Sequence, residues 1–237
     1  MKYKFRYIDK IPSAFISVNL AFGSAIHSSL AWLHEEIVKG NMPTLEEFQQ
    51  VFSIEWYSQT IEENINYNGC NWTELLEKGK AMLALYHENP AKEIQAIESG
   101  FIIPIINPAT GEQLDTPLKG IFDLVLSSGT IVEFKTAGKT FDLMLLHKML
   151  QLTAYSYAFE YLYKQKPSNL KLIAFIKNKN PKMEQWETTR NEKDYIQFFN
   201  ITKNIITGIK NKIFFPIYTY LCKDCEYLEE CKKWEGK

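Results

Sequence analysis

The stretch Gly120-Ile121-Phe122-Asp123, followed ten residues on by Glu133-Phe134-Lys135, places two carboxylates and an ammonium in one short segment. On a strand successive side chains alternate, so Glu133 and Lys135 project from one face and Phe134 from the other. Asp123, on the neighbouring strand, can reach the same spot. Two carboxylates converging beside an ammonium repel or are desolvated unless something fills the gap, and a hard divalent cation such as Mg²⁺ fits that need. The lysine could then orient an attacking water or stabilise charge on a phosphate. Taken alone, Glu-x-Lys is a common tripeptide whose usual meaning is a solvated strand face.

Other polar groups fall into patterns of their own. His147, Gln151 and Tyr155 recur at i, i+4 and i+8, a single helical stripe beside an apolar seam of Leu143, Leu146, Leu150, Ala154, Tyr157 and Tyr161. Gly23-Ser24-Ala25-Ile26-His27 sets a histidine on the apolar side of a helix, with small residues one turn earlier that permit close packing. A histidine so placed is more often a hydrogen-bonded boundary residue than a ligand. Of the four cysteines, Cys222, Cys225 and Cys231 crowd into the last sixteen residues and Cys70 stands alone. In a reducing compartment that spacing reads as metal ligation, but structural zinc and the [4Fe-4S] cluster each normally demand four ligands. Lys135, Lys139 and Lys148, with Lys203, Lys210 and Lys212 on the last helix, are candidates for a patch that tracks a nucleic-acid backbone.

These residues need elements to position them. Apolar spacing predicts helices over Leu20–Val38, Leu45–Ile65 and Trp72–Tyr86, with Asn71 or Thr73 available as a cap. Past Pro90, Ile94, Ala96, Phe101–Ile106, Ile121–Leu126 and Thr130–Phe134 are short β-rich runs, and Ser127-Ser128-Gly129 reads as a tight hairpin. A long helix is expected from Asp142 to about Tyr163, strands over Leu170–Ile176 and Met183–Thr188, and a last helix from about Lys193 to Lys210. The order predicts an α/β domain with a mixed sheet.

Composition narrows the class. With 237 residues, 46% hydrophobic, 27 basic against 28 acidic side chains, the chain reads as a compact folded protein, not a disordered or collagen-like one. A net charge of −1 supplies no global field for a polyanion, so nucleic-acid contact requires a local basic patch. No segment reaches the roughly 18 apolar residues needed to span a bilayer, and the opening residues lack a signal-peptide core. The expected location is the cytoplasm.

Together, Gly-x-x-x-His at 23–27, Gly-x-x-Asp at 120–123, Glu-x-Lys at 133–135 with Thr136 and Lys139 beyond, and Gln-x-x-x-Tyr at 151–155 resemble the RecB-, Cas4- and AddB-like branch of the PD-(D/E)xK nuclease superfamily. The resemblance runs from Tyr3 to Cys231. It implies a restriction-endonuclease-like core, a mixed central β-sheet flanked by helices, in a single nuclease domain over 1–237 with a helical insertion at about 41–90 and a cysteine-containing segment at 216–237. It implies His27, Asp123 and Glu133 as ligands of Mg²⁺ or Mn²⁺, with Asp123, Glu133 and Lys135 carrying catalysis and Gln151, Tyr155 and Lys139 at the DNA. Cys222, Cys225 and Cys231 look like the carboxy-terminal part of an iron-sulfur staple whose fourth cysteine comes from the amino-terminal end. Here Tyr3–Ile8 resembles the segment that follows that cysteine, as though the chain began a few residues late, and the fourth ligand of a [4Fe-4S] cluster is expected to be absent from it: either the start is internal to a longer protein or the cluster is degenerate, and Cys70 does not match the family position.

The activity implied is that of a Mg²⁺- or Mn²⁺-dependent exonuclease acting on DNA ends or single strands, in repair, recombination or CRISPR-type processing, with a helicase or other repair or CRISPR proteins as partners. No phosphate-binding loop of the Walker type occurs, so a motor would be a separate protein. The rival is a non-catalytic DNA-binding or assembly module on the same fold, against which the intact Asp, Glu and Lys set argues.

Overall fold

A computed structural model describes residues 1–61, 64–140 and 142–234. In chain order the elements are β1 (Ile16–Ser17), α1 (Val18–Val38), α2 (Leu45–Ile61), β2 (Ile65–Asn66), α3 (Trp72–His87), β3 (Ile94–Ile103), β4 (Leu118–Leu126) and β5 (Thr130–Ala137). There follow α4 (Leu143–His147), α5 (Leu150–Tyr163), β6 (Asn169–Ile176), β7 (Lys182–Thr188), α6 (Glu192–Lys210) and α7 (Leu228–Lys232). Local chemistry sets several starts. Ser17 accepts from the Asn19 N–H at α1, Asn71 from Thr73 and Glu74 at α3, and Asn191 with Asp194 forms a capping box at α6.

Five strands lie in the order β3-β4-β5-β6-β7, antiparallel throughout except for the parallel pair β5–β6, which α4 and α5 connect. The restriction-endonuclease-like, mixed-sheet architecture is thus present. One sheet face carries Val132, Phe134, Ile173 and Phe175 into a core with Phe22, Ile26 and Leu30 of α1, Trp56 of α2 and Tyr86 of α3. The other face packs Ile131, Leu170 and Leu172 against Leu152, Tyr155 and Phe159 of α5 and Tyr195 of α6. Strand β5 is therefore covered on both sides, and its run Ile-Val-Glu-Phe at 131–134 is buried throughout, Glu133 included.

Several boundaries depart from those expected. The second helix ends at Ile61, and Ile65 lies in β2, paired in parallel with β1. The fragments at Ile94, Ala96 and Phe101 are one strand, β3, which stops at Ile103 and leaves Ile106 in an isolated bridge with Gln113. The helix expected over Asp142–Tyr163 is broken into α4 and α5 at Lys148 and Met149. A tertiary contact sits at the break: the buried Arg190 guanidinium, just beyond β7, donates to the Thr153 and Thr188 hydroxyls at 2.8 and 2.9 Å and to Leu146 O at 2.9 Å, satisfying a carbonyl that a continuous helix would keep for itself. The amino-terminal turn Lys4–Ile8 and the cysteine segment pack together, with Phe5 and Tyr227 rings 5.9 Å apart and the Tyr227 hydroxyl donating to Ile11 O.

Candidate active site

The site forms where β4 and β5 part company. These strands pair only at Leu124↔Val132 and Val125↔Ile131. One residue further, the Asp123 side chain takes over the ladder's role: its Oδ2 accepts from the Phe134 N–H at 2.8 Å. Gly120 allows β3 and β4 to close beside it, because a Cβ there would come 2.5 Å from the Phe101 ring. On the other side of β4, the register Ile97↔Leu124 and Ser99↔Phe122 puts Glu98 directly across from Asp123. Above them α1 contributes His27, whose Nδ1 lies 3.6 Å from Asp123 Oδ2 and 3.9 Å from Glu98 Oε1. Ligand atoms of His27, Glu98 and Asp123 all lie within 4.8 Å of one another.

Glu133, 1% exposed, sits beneath this group. Its Oε1 is paired with Lys135 Nζ and its Oε2 has no hydrogen-bond partner among the described residues. A buried carboxylate oxygen without a partner is costly. Electrostatics record the crowding. Burial first, then the charge on Glu133, pushes the Asp123 carboxyl up to about 7, against the pull of His27 and the Phe134 N–H. Burial opposes charging of the His27 imidazole, but the Glu98 contact and the charges on Asp123 and Glu133 outweigh it and raise its pKa. Oxygen donors plus one imidazole, with an orphaned carboxylate oxygen close by, suit a divalent cation, which would favour the ionised carboxylates that burial and mutual repulsion disfavour.

Tyr155 and Gln151 stand behind the carboxylates on α5. The Tyr155 hydroxyl donates to Ile121 O at 2.5 Å and receives the Gln151 amide at 3.1 Å. Burial, then the charges on Glu133 and Asp123, push the phenol's pKa up, so it stays protonated and serves as a donor. The stripe that included His147 does not survive the break between α4 and α5; His147 Nδ1 lies instead 3.1 Å from Thr188 Oγ1. Lys139 is exposed in the turn after β5. Lys203 and Lys210 do not form a free basic patch, since they pair with Glu112 at 2.6 Å and Asp115 at 2.8 Å.

Sequence reasoning missed Glu98. Its only local signal is a carboxylate inside a β-rich run, and its backbone, at φ +42°, is one that side-chain-bearing residues rarely adopt in a strand. It also missed Arg190, which fixes the end of α5 that carries Gln151.

The cysteine segment offers less. Cys222 lies in the short turn Tyr220–Asp224, Cys225 closes that turn and Cys231 sits in α7, all half-buried, whereas Cys70 is exposed. Among the described residues the three sulfurs are not gathered into a compact ligand set. Three thiols fall one short of a four-thiolate cluster, and no chemistry is assigned to them.

A family model described as the PD-(D/E)XK nuclease superfamily matches residues 1–232. The chain belongs to that superfamily. No curated protein matches it. Among solved structures, a candidate exonuclease from Eubacterium rectale superposes with a TM-score of 0.51 at 13% identity, over 96% of this chain and 92% of that one. The protein SSO0001 superposes with a TM-score of 0.43 at 13% identity, over 98% and 93%. At such identity the likeness is one of fold. Superfamily membership makes the chain a nuclease by descent. No helix among the described residues is long and apolar enough to cross a membrane.

Proposed function

We propose that this superfamily member is a Mg²⁺- or Mn²⁺-dependent deoxyribonuclease of the exonuclease kind, resembling the RecB and Cas4 types. The observation that carries the reading is the convergence of His27, Glu98 and Asp123 above the buried, half-partnered Glu133, with Lys135 at the rim. The exonuclease part draws support from the name given to the Eubacterium rectale protein and from the motif order.

In this reading His27, Asp123 and Glu98, from three elements, would hold the ion, and the buried Glu133, with one oxygen unpartnered, would be a further oxygen donor. Once bound there, a divalent ion would supply charge neutralisation at the phosphodiester and a more acidic water. Lys135, 32% exposed at its side chain, is the group able to reach solvent and the phosphate while keeping one contact to Glu133. It orients the attacking water and hydrogen-bonds a phosphate oxygen as negative charge grows. Tyr155 keeps its proton and spends it on Ile121 O, holding β4 two residues before Asp123; Gln151 fixes that phenol. The pair positions the carboxylate.

The test is degradation of an end-labelled oligonucleotide with and without Mn²⁺. Wild type should shorten it from an end only with the ion present, and Glu133→Ala and Lys135→Ala should leave it intact. Tight binding of the oligonucleotide with no cleavage under any divalent ion would sink the nuclease assignment in favour of a binding module.

A further inference from the structure

We propose that the cleft between α1 and the end of β5 seats a phosphate of the DNA strand next to the one being cut, an assignment that rests on the nuclease reading above. The cleft, about 300 Å³, is lined by Asn19, Leu20, Gly23, Ser24, His27, Lys135 and Thr136, so it opens directly off the His27 and Lys135 end of the acidic site. No carboxylate lines it. The acidic side of the site, at Glu98, and this cleft thus have opposite character, which is what a cation and an adjacent anion require.

Its donors are available. Lys177, half-buried at the end of β6, donates to Asn19 Oδ1 at 2.5 Å and lies 4.8 Å over the Phe22 ring; it makes no ion pair among the described residues. Because an ammonium can only donate, the Asn19 amide oxygen must face it, which leaves the amide NH₂ free. Neither the Ser24 nor the Thr136 hydroxyl makes a hydrogen bond among the described residues. At Gly23, one turn from both Asn19 and His27, a Cβ would stand 3.6 Å from Thr136 Oγ1. The missing side chain leaves the floor of the cleft open. An uncompensated, half-buried lysine behind an amide, together with two free hydroxyls, is a set that lacks an anion, and the Lys135 ammonium at its edge can add a donor while keeping Glu133 as its partner. The exposed Leu20, at the rim, offers an apolar surface to the attached sugar or base.

Two substitutions test the seat without dismantling the fold. Asn19→Asp keeps an oxygen for Lys177 but replaces the free NH₂ by negative charge; Gly23→Ala adds a methyl at ordinary contact distance and favours the helix. Binding of a fluorescein-labelled single strand is measured by anisotropy with Ca²⁺ in place of Mn²⁺, alongside Mn²⁺ binding by calorimetry and thermal melting. Asn19→Asp should weaken oligonucleotide binding about tenfold and flatten its dependence on log salt by about 0.7, one phosphate's share on a single strand. Gly23→Ala should weaken it without lowering the melting temperature. Mn²⁺ binding should stay at the wild-type level in both. Wild-type oligonucleotide affinity and salt slope in Asn19→Asp, with fold and Mn²⁺ binding intact, overturn the proposal. A wild-type protein whose oligonucleotide binding depends on Asn19 but which never cleaves would retain the seat and discard the nuclease reading.

Discussion

His27 and His34 lie two turns apart on α1, and both rest against Phe134, with ring centroids 6.4 and 5.7 Å from it. Their chemistry diverges completely. His34 is 1% exposed, bonds the Tyr86 hydroxyl at 2.8 Å, and has its pKa lowered to about 4 by burial. His27, which meets the same ring edge-on where His34 stacks on it, also meets Glu98 and Asp123 and is raised. The residue type and the helix face are shared, so neither makes an imidazole a ligand. What differs is the partner that the sheet presents: α1's first half looks onto the split between β4 and β5, its second half onto the apolar core.

Breaking the acidic end should cost chemistry and spare the fold. Asp123→Asn removes a charge that the folded site disfavours without a cation, so the melting temperature should hold or rise. The single-turnover cleavage rate should drop at least about 10³-fold, about 4 kcal/mol of transition-state stabilisation. A loss of less than tenfold, with Mn²⁺ present, would mean that Asp123 is not at the chemistry.

The core end should answer to pH instead. His34 is neutral in the fold, whereas an unfolded imidazole titrates near 6.5. Its folded pKa is depressed, so the associated stability is fully present above about pH 6.5 and is lost as pH falls toward 4, by about 3 kcal/mol at the end of that window. Urea unfolding at several pH values between these limits checks it. Subtracting the same series for His34→Leu isolates the group, since the leucine variant should lack that part of the acid slope while retaining metal-dependent cleavage. Parallel slopes in the two proteins would remove His34 from the account.

The contrast also shows how far the chain can be read without coordinates. Helices α1 and α3 follow from one recurrent apolar face, and strands β5, β6 and β7 from short β-rich runs between turns, β5 and β6 being buried on both faces. Glu133, Lys135 and Asp123 are conspicuous because they sit in one hairpin, and their approach needs only strand alternation and a tight turn. Glu98 was not legible: it meets Asp123 through a register set along the whole of β3 and β4, and Glu98-Ser99-Gly100 interrupts the apolar pattern that would have revealed a continuous strand. The break at Met149 was hidden for a similar reason, since Leu146 and Leu150 keep helical spacing across it while Arg190, some forty residues downstream, draws the backbone away. Distinguishing His27 from His34 likewise depends on which end of β5 each faces, a long-range fact.

The smallest expected effect sharpens the comparison most, because it has two opposite signs. Glu98 and Asp123 are like charges directly opposed on neighbouring antiparallel strands, a placement that destabilises a sheet. Glu98→Gln should therefore stabilise the metal-free protein by about 0.5 kcal/mol. The same change removes a ligand charge, so calorimetric Mn²⁺ affinity should fall about tenfold, or about 1.4 kcal/mol. Because a ligand stabilises the fold by RT ln(1 + [L]/Kd), saturating Mn²⁺ should raise the wild-type melting temperature more than that of the variant, narrowing or reversing their order. A glutamine variant that is more stable yet binds Mn²⁺ as tightly as wild type would show that Glu98 only crowds Asp123. A variant less stable without metal would show instead that the carboxylate's contact with His27, and not its repulsion from Asp123, governs that end of α1.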